Sequence, residues 1–312
     1  MKPFKTHEDQ LAILEERGLK IINKHKAILI LSRENYYNIV NGYKNLYLQR
    51  TPSGEIQSPE RYKPDSTFEE LYLLFQFDRD LRNCLLKYLL IFETSVKAKL
   101  AYRFSEQFKG MHDYLIFSNY TTDTKKSKSV LGVISSLINT QKNKSELPAI
   151  SHYLNEYGGI PLWVLVKYLT FGNINFIYSV CIESIRNKIA QDFSIEFQHS
   201  YNQKIHFTPK MLECILQVGN FYRNACAHED RLYNYKVKKM PSVTQISTAL
   251  DVPQCDINSG NIYTIFSCLK LVISKEDYDQ LSKQINWIFD NYQPLFTSIP
   301  FTDITTIMGF VK

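Results

Sequence analysis

The run Phe221-Tyr222-Arg223-Asn224-Ala225-Cys226-Ala227-His228-Glu229-Asp230-Arg231-Leu232 holds an arginine, a neutral amide, a histidine and a second arginine in one short stretch. A cation near a titratable imidazole meets the needs of phosphodiester chemistry without a metal. The cation neutralises the phosphate, and the imidazole moves a proton near pH 7. On a regular helix Asn224, His228 and Arg231 fall at i, i+4 and i+7 and share one face, which Asn220 extends backwards. Arg223, five residues before His228, lies about 140° round and ~7.5 Å along the axis. One copy is therefore poorly arranged to grip a phosphate from one side, whereas two copies about a two-fold axis can pool their arginines and histidines. The small residues Ala225, Cys226 and Ala227 permit close helix approach. The same residues also fit a structural use, with His228 at a helix end and the arginines paired to Glu229 or Asp230.

The motif needs a helix to carry it. Thr208 caps that helix, Pro209 takes its first position, and the pattern runs from about Lys210 to at least His228. Upstream, Thr6 with Asp9 makes a capping-box start, Gly18 a stop, and 32–40 a second helix before a turn at Asn41-Gly42-Tyr43. The breaker-rich 51–67 reads as a loop or boundary. Thr67, with Glu69 and Glu70 behind it, opens a very long helix, or two nearly collinear ones, ending before Gly110. Beyond it, 118–129 reads as a basic mobile loop, 130–138 as a short helix and 141–147 as an exposed charged stretch. A helix over 149–157 stops at Gly158-Gly159, and another opens at Pro161 and stops at Gly172. Helical periodicity continues over 173–180 and 182–193, 236–260 is irregular, and helices over 262–273 and 274–289, the latter capped by Ser274, close the chain. No alternating β pattern occurs. The expectation is all-α, with an N-terminal helical region and linker over 1–64 and a helical domain over 65–312.

Hydrophobic content of 44% and charged content of 22% are those of an ordinary globular protein, and the net charge of +6 is compatible with a nucleic-acid partner without requiring one. Six scattered cysteines form no CxxC pair, so neither a zinc site nor a disulfide framework is expected, and no other metal or cofactor motif appears. No segment approaches the ~18 apolar residues of a membrane span and the start lacks a signal-peptide apolar core, so no membrane partner and a cytoplasmic location are expected.

The string Arg223-Asn224-x-Cys226-Ala227-His228-x-x-Arg231-Leu232 resembles the signature of Abi-like abortive-infection proteins of the AbiD/AbiF type, within the HEPN (higher eukaryotes and prokaryotes nucleotide-binding) superfamily. Three further stretches resemble that family: Tyr36-Tyr37 with Gly42-Tyr43; Phe68-x-x-Leu71 with Phe77-Asp78-Arg79-Asp80-Leu81-Arg82; and Pro161-x-Trp163 with Thr170-Phe171-Gly172. Glu229 departs from it, standing where a second histidine is frequent. The resemblance implies a HEPN-like helical bundle and a metal-independent endoribonuclease, without cofactor, whose composite site lies at a homodimer interface. By that analogy Arg223 holds the scissile phosphate, His228 acts as general base or acid, and Asn224 orients either. It further implies an RNA substrate, a toxin or phage-defence role, and a structured noncoding RNA antitoxin as a candidate partner. Arg231, Lys125, Lys126, Lys128, Lys236, Lys238 and Lys239, with Lys142 and Lys144, are candidate RNA contacts. The alternative is a non-catalytic RNA-binding or protein-interaction module with the same residues as a dimer seam. Among other candidates, Glu93 can pair with Arg223 or Arg231 or face solvent, Arg79 and Arg82 fit helix-surface ion pairs with Asp78 and Asp80, and Trp163 fits a core anchor. His7, His25, His112, His152, His199 and His206 have no spacing that points to chemistry.

Overall fold

Helix starts in this chain are set by short polar side chains that accept the first free backbone N–H groups. A computed structural model describes residues 3–121, 124–142, 148–238 and 244–310. In it Thr6 accepts from Asp9 N–H (3.1 Å), Thr67 from Glu70 (3.0 Å), Thr208 from Met211 (3.2 Å) and Ser274 from Asp277 (3.0 Å). Each such cap stabilises its helix by roughly 0.5–2 kcal/mol. The helices they open and those that follow are α1 (His7–Glu16), α2 (Lys24–Glu34), α3 (Phe68–Gln107), α4 (Thr124–Lys142), α5 (Pro148–Tyr157), α6 (Leu162–Leu165), α7 (Phe171–Val180), α8 (Glu183–Tyr201), α9 (Pro209–Ala227), α10 (Thr244–Leu250), α11 (Gln254–Asn258), α12 (Ile262–Leu269), α13 (Lys275–Tyr292) and α14 (Phe301–Met308). Isolated bridges such as Leu48 with Tyr62 are the nearest approach to β-structure among the described residues. The fold is all-α.

Several sequence boundaries move for identifiable reasons. The second helix begins at Lys24 rather than Ser32, because the Asn23 side chain accepts from Lys26 N–H at 2.9 Å and Ala27, Ile30 and Leu31 are buried. The basic stretch expected as a loop is helical from Thr124, so Lys125, Lys126 and Lys128 stand in the first turns of α4. Residues 143–147, expected as exposed charge and including Lys144, lie outside the described residues, as does Lys239. Gly172 does not stop a helix. The chain breaks at Leu169-Thr170, and a capping box between Thr170 and Asn173 starts α7 with Gly172 in its first turn. Two short helices, α10 and α11, occupy the stretch expected to be irregular, and α14 follows the expected last helix. Trp163 is 59% exposed rather than a core anchor, because α6 is a single turn that buries Leu162 and Leu165 and leaves Trp163 on the other side.

The chain divides into two compact units. The first comprises 1–85, 226–235 and 281–312, so the N-terminal region joins the start of α3 and the C-terminal helices. Its core includes Phe77 edge-on to Tyr292 and Phe301, with ring centroids 5.4 and 5.5 Å apart. The buried Glu70 carboxylate accepts from Ser298 and Ile299 N–H and from the Thr297 hydroxyl, which fixes the approach to α14. The second unit comprises 86–225 and 236–280. There Gly219 lets α9 approach α3 and α7 closely, since a Cβ at that position would meet Phe92 at 3.1 Å and Phe171 at 3.4 Å.

Candidate functional site

The second unit presents the first half of the motif. Arg223 lies on α9, where its Nε donates to Glu93 Oε2 of α3 at 3.2 Å. Glu93 is only 5% exposed, and its other oxygen lies 2.8 Å from Lys97 Nζ. A buried carboxylate shared by two cations draws the guanidinium into one orientation. Because Glu93 takes the Nε, both Nη atoms of Arg223 are without a hydrogen bond among the described residues. Of the two partners the sequence left open for Glu93, the structure selects Arg223. Asn224, the next residue, is exposed. Asn220 is not a member of an open polar stripe: its Oδ1 is buried without a partner among the described residues, against the Cβ-less surface of Gly172.

The first unit presents the second half. Helix α9 ends at Ala227, so His228 is the first residue beyond it, and the i, i+4, i+7 face of Asn224, His228 and Arg231 does not form. Glu229 takes a left-handed φ of +56°, and the chain turns away from the helical path. What turns it is a buried anion. Asp78, 0% exposed, accepts from Leu232 N–H at 2.9 Å and Tyr233 N–H at 2.5 Å, from the Tyr43 hydroxyl at 2.6 Å and from Arg82 Nη1 at 2.6 Å. Arg82 also donates to the Asp230 carbonyl at 3.3 Å. The Asp78–Arg82 pair is thus an interior one rather than the surface pair expected. Burial pushes the Asp78 carboxyl up, opposed by Arg82, the Tyr43 hydroxyl and the two backbone donors. Arg231 donates from Nε to Asn234 Oδ1 at 2.8 Å and from Nη1 to the Gly42 carbonyl.

His228 therefore stands exposed on a short arch held at 230–233, with no hydrogen-bond partner for its ring among the described residues. It borders a cleft of about 350 Å³ whose walls include Glu34, Tyr37, Tyr43 and Arg231. Glu34 is fixed there by two bonds from Arg79, of 3.0 and 2.7 Å. The hydrogen bonds from Arg79 hold its carboxyl below the ordinary glutamate value of 4.5. A depressed carboxylate pKa contributes stability that is present above the unfolded-state value and lost as pH falls through the folded one. Wild type is therefore expected to melt above Glu34→Gln at pH 7, with the gap closing as pH falls below the ordinary glutamate value, which thermal melts across that range would show.

Cys226, inside the motif, is buried, and burial pushes its thiol up to about 12. It is neutral and inert near pH 7. In the folded protein iodoacetamide is expected to label the exposed Cys255 and to spare Cys226, and mass spectrometry of the labelled peptides checks this. Of the candidate RNA contacts, Lys125 and Lys128 on α4 and Lys236 and Lys238 after the arch are exposed, all in the second unit. Among the described residues no group of three or more His, Cys, Asp and Glu side chains is placed to hold a metal ion, and no helix is long and apolar enough to cross a membrane.

Fold and motif define an all-α protein with an arginine held on its penultimate helical turn and a bare histidine just past the helix end. The chain belongs to the Abi-like protein family, whose description matches residues 29–234. That span takes in the Tyr36–Tyr43 segment, α3 with Asp78 and Glu93, and the whole motif. Membership points to a role in abortive infection. No curated protein and no solved structure matches the chain.

Asp78 and Arg82 stood out in the sequence, but the arch they hold did not. Tyr37 and Gly42 stood out only within a helix and the turn after it, and in a family resemblance. The signal available was the pair of adjacent tyrosines followed by Asn-Gly, a combination that marks an irregular turn with an exposed ring.

Proposed function

We propose that this protein is a metal-independent endoribonuclease of the HEPN type that acts as an abortive-infection effector. The observation that carries the reading is the contrast between its two chemical groups and their surroundings. Arg223 is oriented by the buried Glu93 with both Nη atoms unbonded, and His228 is exposed with no bonded partner, on an arch fixed by Asp78. Both groups are reachable from solvent, and the cation is held in one orientation, as an approaching phosphate requires.

In this reading the Nη atoms of Arg223 neutralise the non-bridging oxygens of an RNA phosphate. His228 removes the proton from the neighbouring 2′-hydroxyl as that oxygen attacks phosphorus, or donates one to the leaving 5′-oxygen. Asn224, exposed beside Arg223, orients the phosphate. Products are a 2′,3′-cyclic phosphate and a 5′-hydroxyl. A homodimer that pools Arg223 and His228 from two copies supplies the base and the acid together. Lys125, Lys126, Lys128, Lys236, Lys238 and Lys239 attract the RNA backbone, and a structured noncoding RNA competing for them restrains the enzyme.

Expression of wild type should arrest growth and leave RNA ends of that chemistry, while His228→Ala should do neither. Mixed dimers of Arg223→Ala with His228→Ala subunits should recover part of the cleavage. Equal arrest by wild type and His228→Ala would sink the catalytic reading and leave a binding module.

A further inference from the structure

The cleft beside His228 holds groups that proton transfer does not use. Tyr37 is 71% exposed and lines it. On a cleft wall, a ring this open offers an uncovered aromatic face to whatever enters. The ring is carried by an irregular element: Tyr37–Asn41 is a π-helical turn, a rare form that recurs at functional sites. Asn35 enters it with a left-handed φ of +66° and accepts from Tyr37 N–H at 2.9 Å through its side chain. At the other end Arg231 donates to the Gly42 carbonyl, and Tyr43 donates to Asp78. The π-turn is thereby tied to the same arch that carries His228. Asn38, also on the cleft wall, is exposed and its amide has no hydrogen bond among the described residues.

Charge decides what fits. Glu229 and Asp230 line the cleft with Glu34, whose charge Arg79 offsets, and among the described lining residues the cation Arg231 is already engaged by Asn234 and Gly42. A phosphate is disfavoured there, and a neutral planar group is not. The volume of about 350 Å³ lies at the small end of ligand sites, suited to one ring system.

We propose, resting on the ribonuclease reading above, that this cleft receives one unstacked nucleobase of single-stranded RNA next to the scissile phosphate. The Tyr37 ring stacks on the base, and the Asn38 amide hydrogen-bonds its edge. Stacking accepts any base, so Tyr37 supplies affinity; Asn38 supplies preference.

The test uses the full chain and a short single-stranded RNA made uncleavable by 2′-O-methyl groups, with 2-aminopurine placed at successive positions. Wild type should quench one position strongly on binding. Tyr37→Ala should lose that quench and bind about 5- to 100-fold more weakly, while Tyr37→Phe, which keeps the ring face, stays near wild type. Asn38→Ala should keep the quench and flatten the preference among four homopolymers. The same sequence as a duplex should compete poorly. Tyr37→Ala binding and quenching like wild type would overturn the proposal, as would the absence of any quenched position. Cleavage of the 2′-hydroxyl RNA by wild type is scored separately. Quenching without cleavage leaves the base site standing and removes the nuclease; cleavage without quenching does the reverse.

Discussion

Asp78→Ala is expected to lower the stability of the first unit by about 3–5 kcal/mol, the cost typical of leaving a buried charge without its partner. Four donors converge on this carboxylate, and the substitution strands them together. Arg82, 2% exposed, would keep only its weaker bonds to the Tyr43 hydroxyl and the Asp230 carbonyl, both 3.3 Å. The buried N–H groups of Leu232 and Tyr233 would have no acceptor, and each such loss costs roughly 1–3 kcal/mol. Asp78→Asn should fall between, because its amide oxygen still accepts while its NH2 faces donors. Urea unfolding followed by tyrosine fluorescence would measure the difference. A loss under about 1 kcal/mol for Asp78→Ala would mean the arch is held by other contacts. The arch also carries His228, so Asp78→Asn should reduce RNA cleavage by more than the unfolded fraction accounts for.

His228→Ala should reduce RNA cleavage by about 10²–10⁴-fold, the range for removing a general acid or base. Its effect on stability should stay within about 0.5 kcal/mol, since the side chain is exposed and bonded to nothing among the described residues. That separation makes it a cleaner probe than Arg223→Ala. Truncating Arg223 leaves the buried Glu93 with Lys97 alone, so lost activity there mixes with lost stability. Cleavage rates set beside melting temperatures for the two variants would expose the difference. A His228→Ala protein that melts like wild type and cuts at wild-type rate would assign the chemistry elsewhere.

Much of the fold was legible because it is written in local chemistry. Thr6, Thr67, Thr208 and Ser274 mark helix starts by residue type alone, and all four cap. Periodicity showed one very long helix or two nearly collinear ones, since spacing of 3–4 residues needs no partner to be read, and the structure has the single helix α3. The errors fell where a boundary is set at a distance. The sequence pattern runs on to at least residue 228, whereas the chain leaves the helix after Ala227 with Glu229 at a left-handed φ, and Asp78, far away along the chain, holds Leu232 and Tyr233 beyond that turn. Gly172 looked like a stop because glycine is a common helix end, but a capping box between Thr170 and Asn173, which flank it, starts α7 instead. Trp163 looked like core because it is large and apolar, yet a one-turn helix can bury only one side.

The sequence by itself determined the helical class and the family, because those depend on residue identity and short spacing. For Glu93 it left a pair with Arg223, a pair with Arg231 and a solvent-facing position all open. Only tertiary structure chose Arg223 over Arg231, since two helices far apart in sequence must meet before an ion pair can form. Tertiary structure alone took His228 off the helix, broke the stripe it was expected to share with Asn224 and Arg231, and set it beside the Tyr37 turn. The physical reason is the same in each case. A buried carboxylate must find donors wherever the fold supplies them, and the chain bends to provide them.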